Sequence, residues 1–229
     1  MTATPTPDVM HDVIDGLLGI QPGDALDAIR AHRPQARLNA QQSYLALFDP
    51  AAVSKASAAS AGQETRFTLA ERFAVATFVT GVHGQDAVSA FYADGLSQQD
   101  APPSLLEAIS TEAATVVAGA VTGPYGSFPE GPLTREDQPG PRYAASDANG
   151  AVFGARLSAA LAHAHLLVFH PRDAQAAHLQ ALLDAGWSTT DIVTLSQLVA
   201  FLSFQIRVVA GLRALNTAAL DLALIGPTP

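Results

Sequence analysis

Apolar positions fall at helical spacing in a series of segments separated by proline, glycine and small polar residues. Residues 1–65 read as an N-terminal helical extension and linker. Asp8 and Asp24 are each placed to cap a short helix, and Pro34 sits just inside the start of a third that runs through Asn39, Tyr44 and Phe48. The stretch AAVSKASAASAGQ (51–63) has small side chains and no strong period, as suits a linker or a weak surface helix. A clearer helix opens at Thr68, whose hydroxyl forms a T-x-x-E capping box with Glu71, and continues through Phe73, Val75, Phe78 and Val79. Gly81 and Gly84 mark a break, helical spacing resumes over 87–92, and Pro102 and Pro103 precede a further helix over 104–120. Residues 66–121 are thus a first helical half. Residues 122–150, rich in proline and glycine, form a long loop of the kind that serves as a lid, an arm or a surface insertion. Residues 151–229 make a second helical half: a helix over 152–169 ended by Pro171, one over 174–185 capped by Asp173 and stopped by Gly186, one over 189–212 capped by Ser188, and a last one over 217–225. The predicted fold class is all-α.

Composition narrows the function. The chain has 229 residues, enough to bury roughly 70% of its unfolded surface, and its 48% hydrophobic share includes only 7% aromatics, which favours packed helices over strands. A net charge of −9 repels phosphate backbones, so nucleic acid is not an expected partner. The absence of cysteine removes disulfides, thiolate nucleophiles and sulfur metal ligands together. The opening residues lack a basic and apolar signal pattern, and the longest apolar run, 192–215, is interrupted by Ser196, Gln197, Ser203, Gln205 and Arg207. It is expected to be a buried core helix of a cytoplasmic protein with no membrane partner.

Three segments carry a family resemblance. DAGWSTTDIVTLSQLVAFLSFQIRVVAGLRAL (184–215) resembles the closing helices of carboxymuconolactone decarboxylase domains, with Arg207 and Gly211-Leu212 where that pattern expects them. TLAERFAVATFVTGVHGQDAVSAFY (68–92) resembles the active-site helix pair of the alkylhydroperoxidase D / carboxymuconolactone decarboxylase superfamily, in which an early Glu is followed by C-x-x-C and then a His. Glu71 matches the Glu. His83, Asp86 and Ala90 stand where the two cysteines and the trailing His belong. DVIDGLLGIQPGDALDAIRAHRPQARLNAQQSYLALF (12–48) resembles the N-terminal part of a cysteine-free branch of that superfamily. The resemblance implies an alkylhydroperoxidase D-like helical bundle of two related halves, assembled as a homo-oligomer of two to six subunits.

Thiol peroxidase chemistry is closed to this chain. The family's other chemistry, decarboxylation or double-bond migration on a small carbonyl or lactone acid, needs only a general base and acid and no cofactor. The candidates are His83 as proton carrier, Glu71 orienting its ring, and Asp86 pairing with the ring if helix has resumed there. Each also has a structural reading: Glu71 as the capping partner of Thr68, His83 as a loop residue bonded to backbone, Asp86 as an N-cap. Arg207, a cation within an apolar helix, is expected either to bind a substrate carboxylate or to pair with an internal acid such as Glu71. His163, His165, His170 and His178 raise metal binding, with His163 and His170 as weak candidates, but His163 and His165 point some 200° apart on a helix and no H-E-x-x-H spacing is present. The alternative function is a non-catalytic oligomeric scaffold or binding protein that has lost peroxidase activity.

Overall fold

The computed structural model describes residues 12–49, 51, 67–119 and 123–225, with side chains as far as Thr217. Asp8 and most of the small-residue stretch at 51–63 lie outside the described residues. Among the described residues there are nine α-helices and no strand: α1 (Val13–Leu18), α2 (Ala25–Ala31), α3 (Pro34–Phe48), α4 (Leu69–Val82), α5 (Asp86–Ser97), α6 (Pro103–Ala118), α7 (Asp147–Phe169), α8 (Ala176–Asp184) and α9 (Thr189–Ile225). The all-α expectation holds.

Helix α4 is the centre of the fold. Ten of its fourteen residues are buried, so its apolar surface runs almost around its whole circumference and it belongs inside, packed against α5, α6, α7 and α9. Its buried polar side chains are answered locally. Thr77 and Thr80 donate to the carbonyls of Phe73 (2.8 Å) and Ala76 (2.7 Å), and Arg72 donates to Phe67 O (3.0 Å) and Leu47 O (3.1 Å). Helix α5 approaches closely because position 95 is glycine: a Cβ there would stand 2.3 Å from Phe73 Cε1. Across the core, Tyr92 Oη donates to Gln205 Oε1 (2.7 Å), joining α5 to α9.

The N-terminal helices share this core. Phe48 places its ring 4.9 Å from Phe73 and 5.1 Å from Tyr92. Arg30 and Arg37 cross-link α1, α2 and α3 through Asp12, Asp15 and Asp27. Asp12, not Asp24, supplies a side-chain cap, accepting from Ile14 N and Asp15 N.

Three elements of the second half differ from expectation. Helix α7 starts at Asp147 rather than near 152, because Ser146 caps it and the buried Glu112 of α6 accepts from Ser146 N, Ser146 Oγ and Asn149 Nδ2. It is broken at Gly154 (φ 65°, ψ 174°). Asp173 does not cap α8, where Gln175 holds the N-cap position; its carboxylate accepts Ser127 N (3.1 Å) and Arg142 Nη2 (3.1 Å) and so anchors the long loop. The separate helix expected over 217–225 is a continuation of α9.

The loop is an arm laid over the helices across 123–146. Its course is set by Tyr125 N donating to Phe169 O (2.6 Å), by the Gly126–Gln138 bridge and by Tyr143 packing on Phe78. By length and composition, α7 and Thr189–Thr217 of α9 could each cross a membrane, with mean hydropathy 1.4 and 1.7; half of each stretch is buried inside the fold.

Gly95→Ala is expected to lower the urea midpoint, because Phe73 is held from behind by Phe48 and Tyr92 and cannot withdraw. Overpacking of about 1–3 kcal/mol outweighs the gain of up to about 1 kcal/mol in helix propensity.

Candidate functional site

Helix α4 brings His83 to the surface of the core. The apolar run ends at Val82, His83 takes the C-cap position, and Gly84 turns the chain with φ 64°. The imidazole is half-buried against Phe169, ring centroids 6.4 Å apart, and its buried Nε2 meets no hydrogen-bond partner. Burial first, and the Arg207 guanidinium second, hold the His83 pKa below the usual histidine value, so the ring is neutral at pH 7.

Arg207 belongs to a single face of α9 formed by Ser196, Ala200, Ser203 and Arg207, at spacings of four, three and four, with Val199 beside them. This face, with Leu167, Val168 and Phe169 at the end of α7 and Gly123-Pro124 of the arm, walls a cleft of about 670 Å³ into which the His83 ring is built. Arg207 Nη1 donates to Ser203 O (2.8 Å), and its guanidinium pairs with no carboxylate among the described residues. Arg207 is exposed, so its charge is solvated rather than buried as expected, and the cleft joins this carboxylate-free cation, a neutral imidazole and apolar walls, an arrangement able to hold a small acid beside a proton acceptor.

Glu71 and Asp86 are not part of this cleft. Glu71 lies at the other end of α4, twelve residues and roughly 18 Å from His83, so the expected orientation of the imidazole by Glu71 is not met. Its Oε2 accepts Thr68 N (2.9 Å) in the capping box and its Oε1 accepts Arg156 Nε (2.8 Å). The internal pair foreseen between Arg207 and Glu71 is therefore formed by Arg156. Asp86 is the exposed first residue of α5, with Gln85 at the N-cap; His83 precedes that helix, so the two do not share a helical face.

The histidines of α7 divide as their spacing demands. His163 turns to α9, its Nε2 3.1 Å from Ser196 Oγ, and His165 packs beneath Tyr143 of the arm. Both nitrogens of His170 are engaged, Nδ1 by Asp173 (3.1 Å) and Nε2 by Pro141 O (2.9 Å), which removes it from the metal candidates. Among the described residues no group of three or more His, Asp or Glu is arranged to hold a metal ion. Burial, with smaller contributions from His178 and His170 respectively, holds both His163 and His165 down to about 4.

Arg156 is the residue that sequence reasoning missed. It binds Glu71, donates to Gly186 O (2.7 Å), lies 4.0 Å over the Trp187 ring and approaches Asp191 at 3.7 Å, while Trp187 Nε1 donates back to Arg156 O (2.9 Å). Its signal was available: a lone cation in the apolar stretch 152–169, the same signature that drew attention to Arg207. Comparison with family models, with curated proteins and with solved structures found no match.

Arg156→Met is expected to destabilise the protein by about 2–3 kcal/mol, since it removes the bonds to Glu71 and Gly186 O and takes from Asp191, which is 2% exposed, one of the two cations near it, leaving Arg72. Glu71→Gln, whose single carboxamide oxygen can keep the cap but turns an NH2 group toward Arg156, should cost less, about 1–2 kcal/mol; guanidinium denaturation of the two variants measures the contrast. A second expectation concerns acid. His163 and His165 stay neutral when folded but take up protons below 6.5 when unfolded, so their contribution is complete above about pH 6.5 and is lost as pH falls toward about 4. Unfolding free energies measured between about pH 7 and about pH 4.5 should fall by up to about 1.4 kcal/mol per pH unit for each histidine, and His165→Phe should flatten the slope.

Proposed function

We propose that the chain is a thiol-free protein of the alkylhydroperoxidase D / carboxymuconolactone decarboxylase type, and that its cleft transfers a proton on a small carbonyl or lactone acid without a cofactor. The observation that carries this reading is the neutral, unpartnered His83 imidazole in a cleft shared with an Arg207 guanidinium that lacks a carboxylate. A substrate carboxylate paired with Arg207 holds the substrate's carbonyl near the ring; His83 accepts a proton from the carbon next to that carbonyl, leaving an enolate, and the imidazolium or solvent returns a proton to it. The apolar walls from Leu167 to Phe169 partly desolvate the His83 ring, while Arg207, an exposed residue, meets the carboxylate at the solvent side of the cleft.

The grouping of α4–α6 and α7–α9, three helices each, supports a bundle of two related halves. An oligomer is supported by Val193, Phe204 and Leu215, which are large, 57%, 46% and 52% exposed, and spaced by eleven along one face of α9, where a second copy can cover them. A cytoplasmic site is supported by the use of the apolar faces of α7 and α9 to cover α4. The alternative, a non-catalytic oligomeric scaffold, is favoured by one observation: both carboxylate oxygens of Glu71 are engaged in structural contacts.

The test is 4-oxopentanoate, a small keto acid, followed by NMR in D₂O. Wild-type protein is expected to bind it and to accelerate exchange of the protons next to the ketone. His83→Gln should abolish the acceleration while leaving binding within about twofold, and Arg207→Leu should weaken binding about tenfold. Neither binding nor exchange, with 4-oxopentanoate or with a γ-lactone acid, would overturn the catalytic reading in favour of the scaffold.

A further inference from the structure

A second cavity of about 240 Å³ lies between the arm and the corner of α7 and α8, with Tyr143 and His165 among its walls and Ala159, Ala162 and Ala181 as its small-residue floor. His165 also borders an adjoining cavity of about 200 Å³ on the arm's other side. The ring of Tyr143 stacks on His165 at 5.7 Å and 27°, and His170 lies 5.9 Å away at 32°. His165 is only 3% exposed and makes no hydrogen bond to protein among the described residues, its ring nitrogens being left to the cavities it borders, while the Nδ1 of His163 in the same wall is buried with no partner. A buried polar group without a partner costs about 1–3 kcal/mol and calls for an explanation.

We propose that this cavity binds a small neutral aromatic molecule bearing a hydroxyl group, phenol being the simplest member of the class, with the hydroxyl bonded to His165. Size, shape and charge each select this class. An apolar cavity of about 150 Å³ holds benzene, so 240 Å³ takes a phenol ring with room for a substituent. The flat walls and the alanine floor form a slot for a planar ring. His163 and His165 are uncharged at neutral pH, and among the described residues no carboxylate lines the cavity to hold an ammonium ion; the cationic side of the rim, Arg142, is turned to Asp173, which His170 also contacts, so the inner wall presents neutral imidazoles. A neutral imidazole offers one bare nitrogen and one N–H, and a hydroxyl group can serve either.

The neighbouring His163 strengthens the case and disposes of a rival. Ser196 Oγ has one proton, which goes to Ile192 O at 2.9 Å, so the 3.1 Å contact with His163 is made by Nε2–H donating to Ser196. His163 is therefore not a base for Ser196, and the pair is no nucleophile. Its Nδ1 is left as a buried, unpartnered acceptor in a residue of the cavity wall.

The experiment is a phenol titration of the full chain labelled with ¹⁵N-histidine, with cyclohexanol and benzoate as comparison ligands. The expected result is a saturable shift of the His165 ring nitrogens with His83 unmoved, and weaker binding of both comparison ligands. His165→Phe should weaken phenol about fivefold, the loss of one hydrogen bond. Ala162→Leu, a half-buried wall position whose larger side chain fills the slot, should abolish saturable binding in a folded protein. A linear, non-saturating response, a shift at His83 instead of His165, unchanged phenol affinity in Ala162→Leu, or benzoate bound as tightly as phenol would each overturn the proposal. The readout at His165 is separate from His83 and Arg207, so it stands or falls independently of the chemistry proposed for the main cleft.

Discussion

The architecture depends on one cation. Arg156 gathers the start of α4 through Glu71, the turn after α8 through Gly186 and Trp187, and the first turn of α9 through Asp191. With Arg156 itself on α7, these bring together three stretches of chain far apart in sequence, around 71, 156 and 186–191, and apolar packing alone would leave their relative heights loosely specified, since apolar helices slide past one another at small cost. A planar guanidinium, with donors in a fixed fork and a face for the indole, admits only a narrow range of arrangements. Asp191 sharpens the requirement: a carboxylate this deeply buried draws on cations nearby, Arg156 at 3.7 Å and the buried Arg72.

Local chemistry was the legible part of the sequence. The Thr68–Glu71 capping box, Pro34 at the first turn of α3 and Ser188 before α9 depend on residues within one helical turn, and all three appear where the pattern puts them. Boundaries set by distant partners were not legible. The start of α7 depends on Glu112, whose carboxyl, pushed up by burial but pulled down further by bonds from Ser146 and Asn149, is held below the usual carboxylate range. Asp173 has the composition of a helix cap but is claimed by the arm, because Ser127 and Arg142 reach it first.

The same division holds for the cleft. His83 and Arg207 were each identifiable, one as a histidine between two glycines and the other as a cation in an apolar run. What the sequence could not supply was their partnership, since a helix separates His83 from Glu71 by its full length while α9 returns Arg207 to its side. Proximity along the chain suggested the wrong carboxylate for the imidazole. The pairing of Glu71 with Arg156 spans 85 positions, and no local pattern chooses between two lone arginines.

Helix α9 gives the Arg156 clasp a mechanical reach. It runs without interruption from Thr189 to Ile225, and the sixteen residues from Asp191 to Arg207 make a strut of about 24 Å. Such a rod is pinned twice, by the Arg156 clasp at Asp191 and by the bond from Tyr92 Oη to Gln205, two residues before Arg207. The register of the cleft is therefore held between two pins, neither of them a wall residue, and sequence drift at Trp187 or at Tyr92 would detune the distance between Arg207 and His83 while leaving every wall residue unchanged.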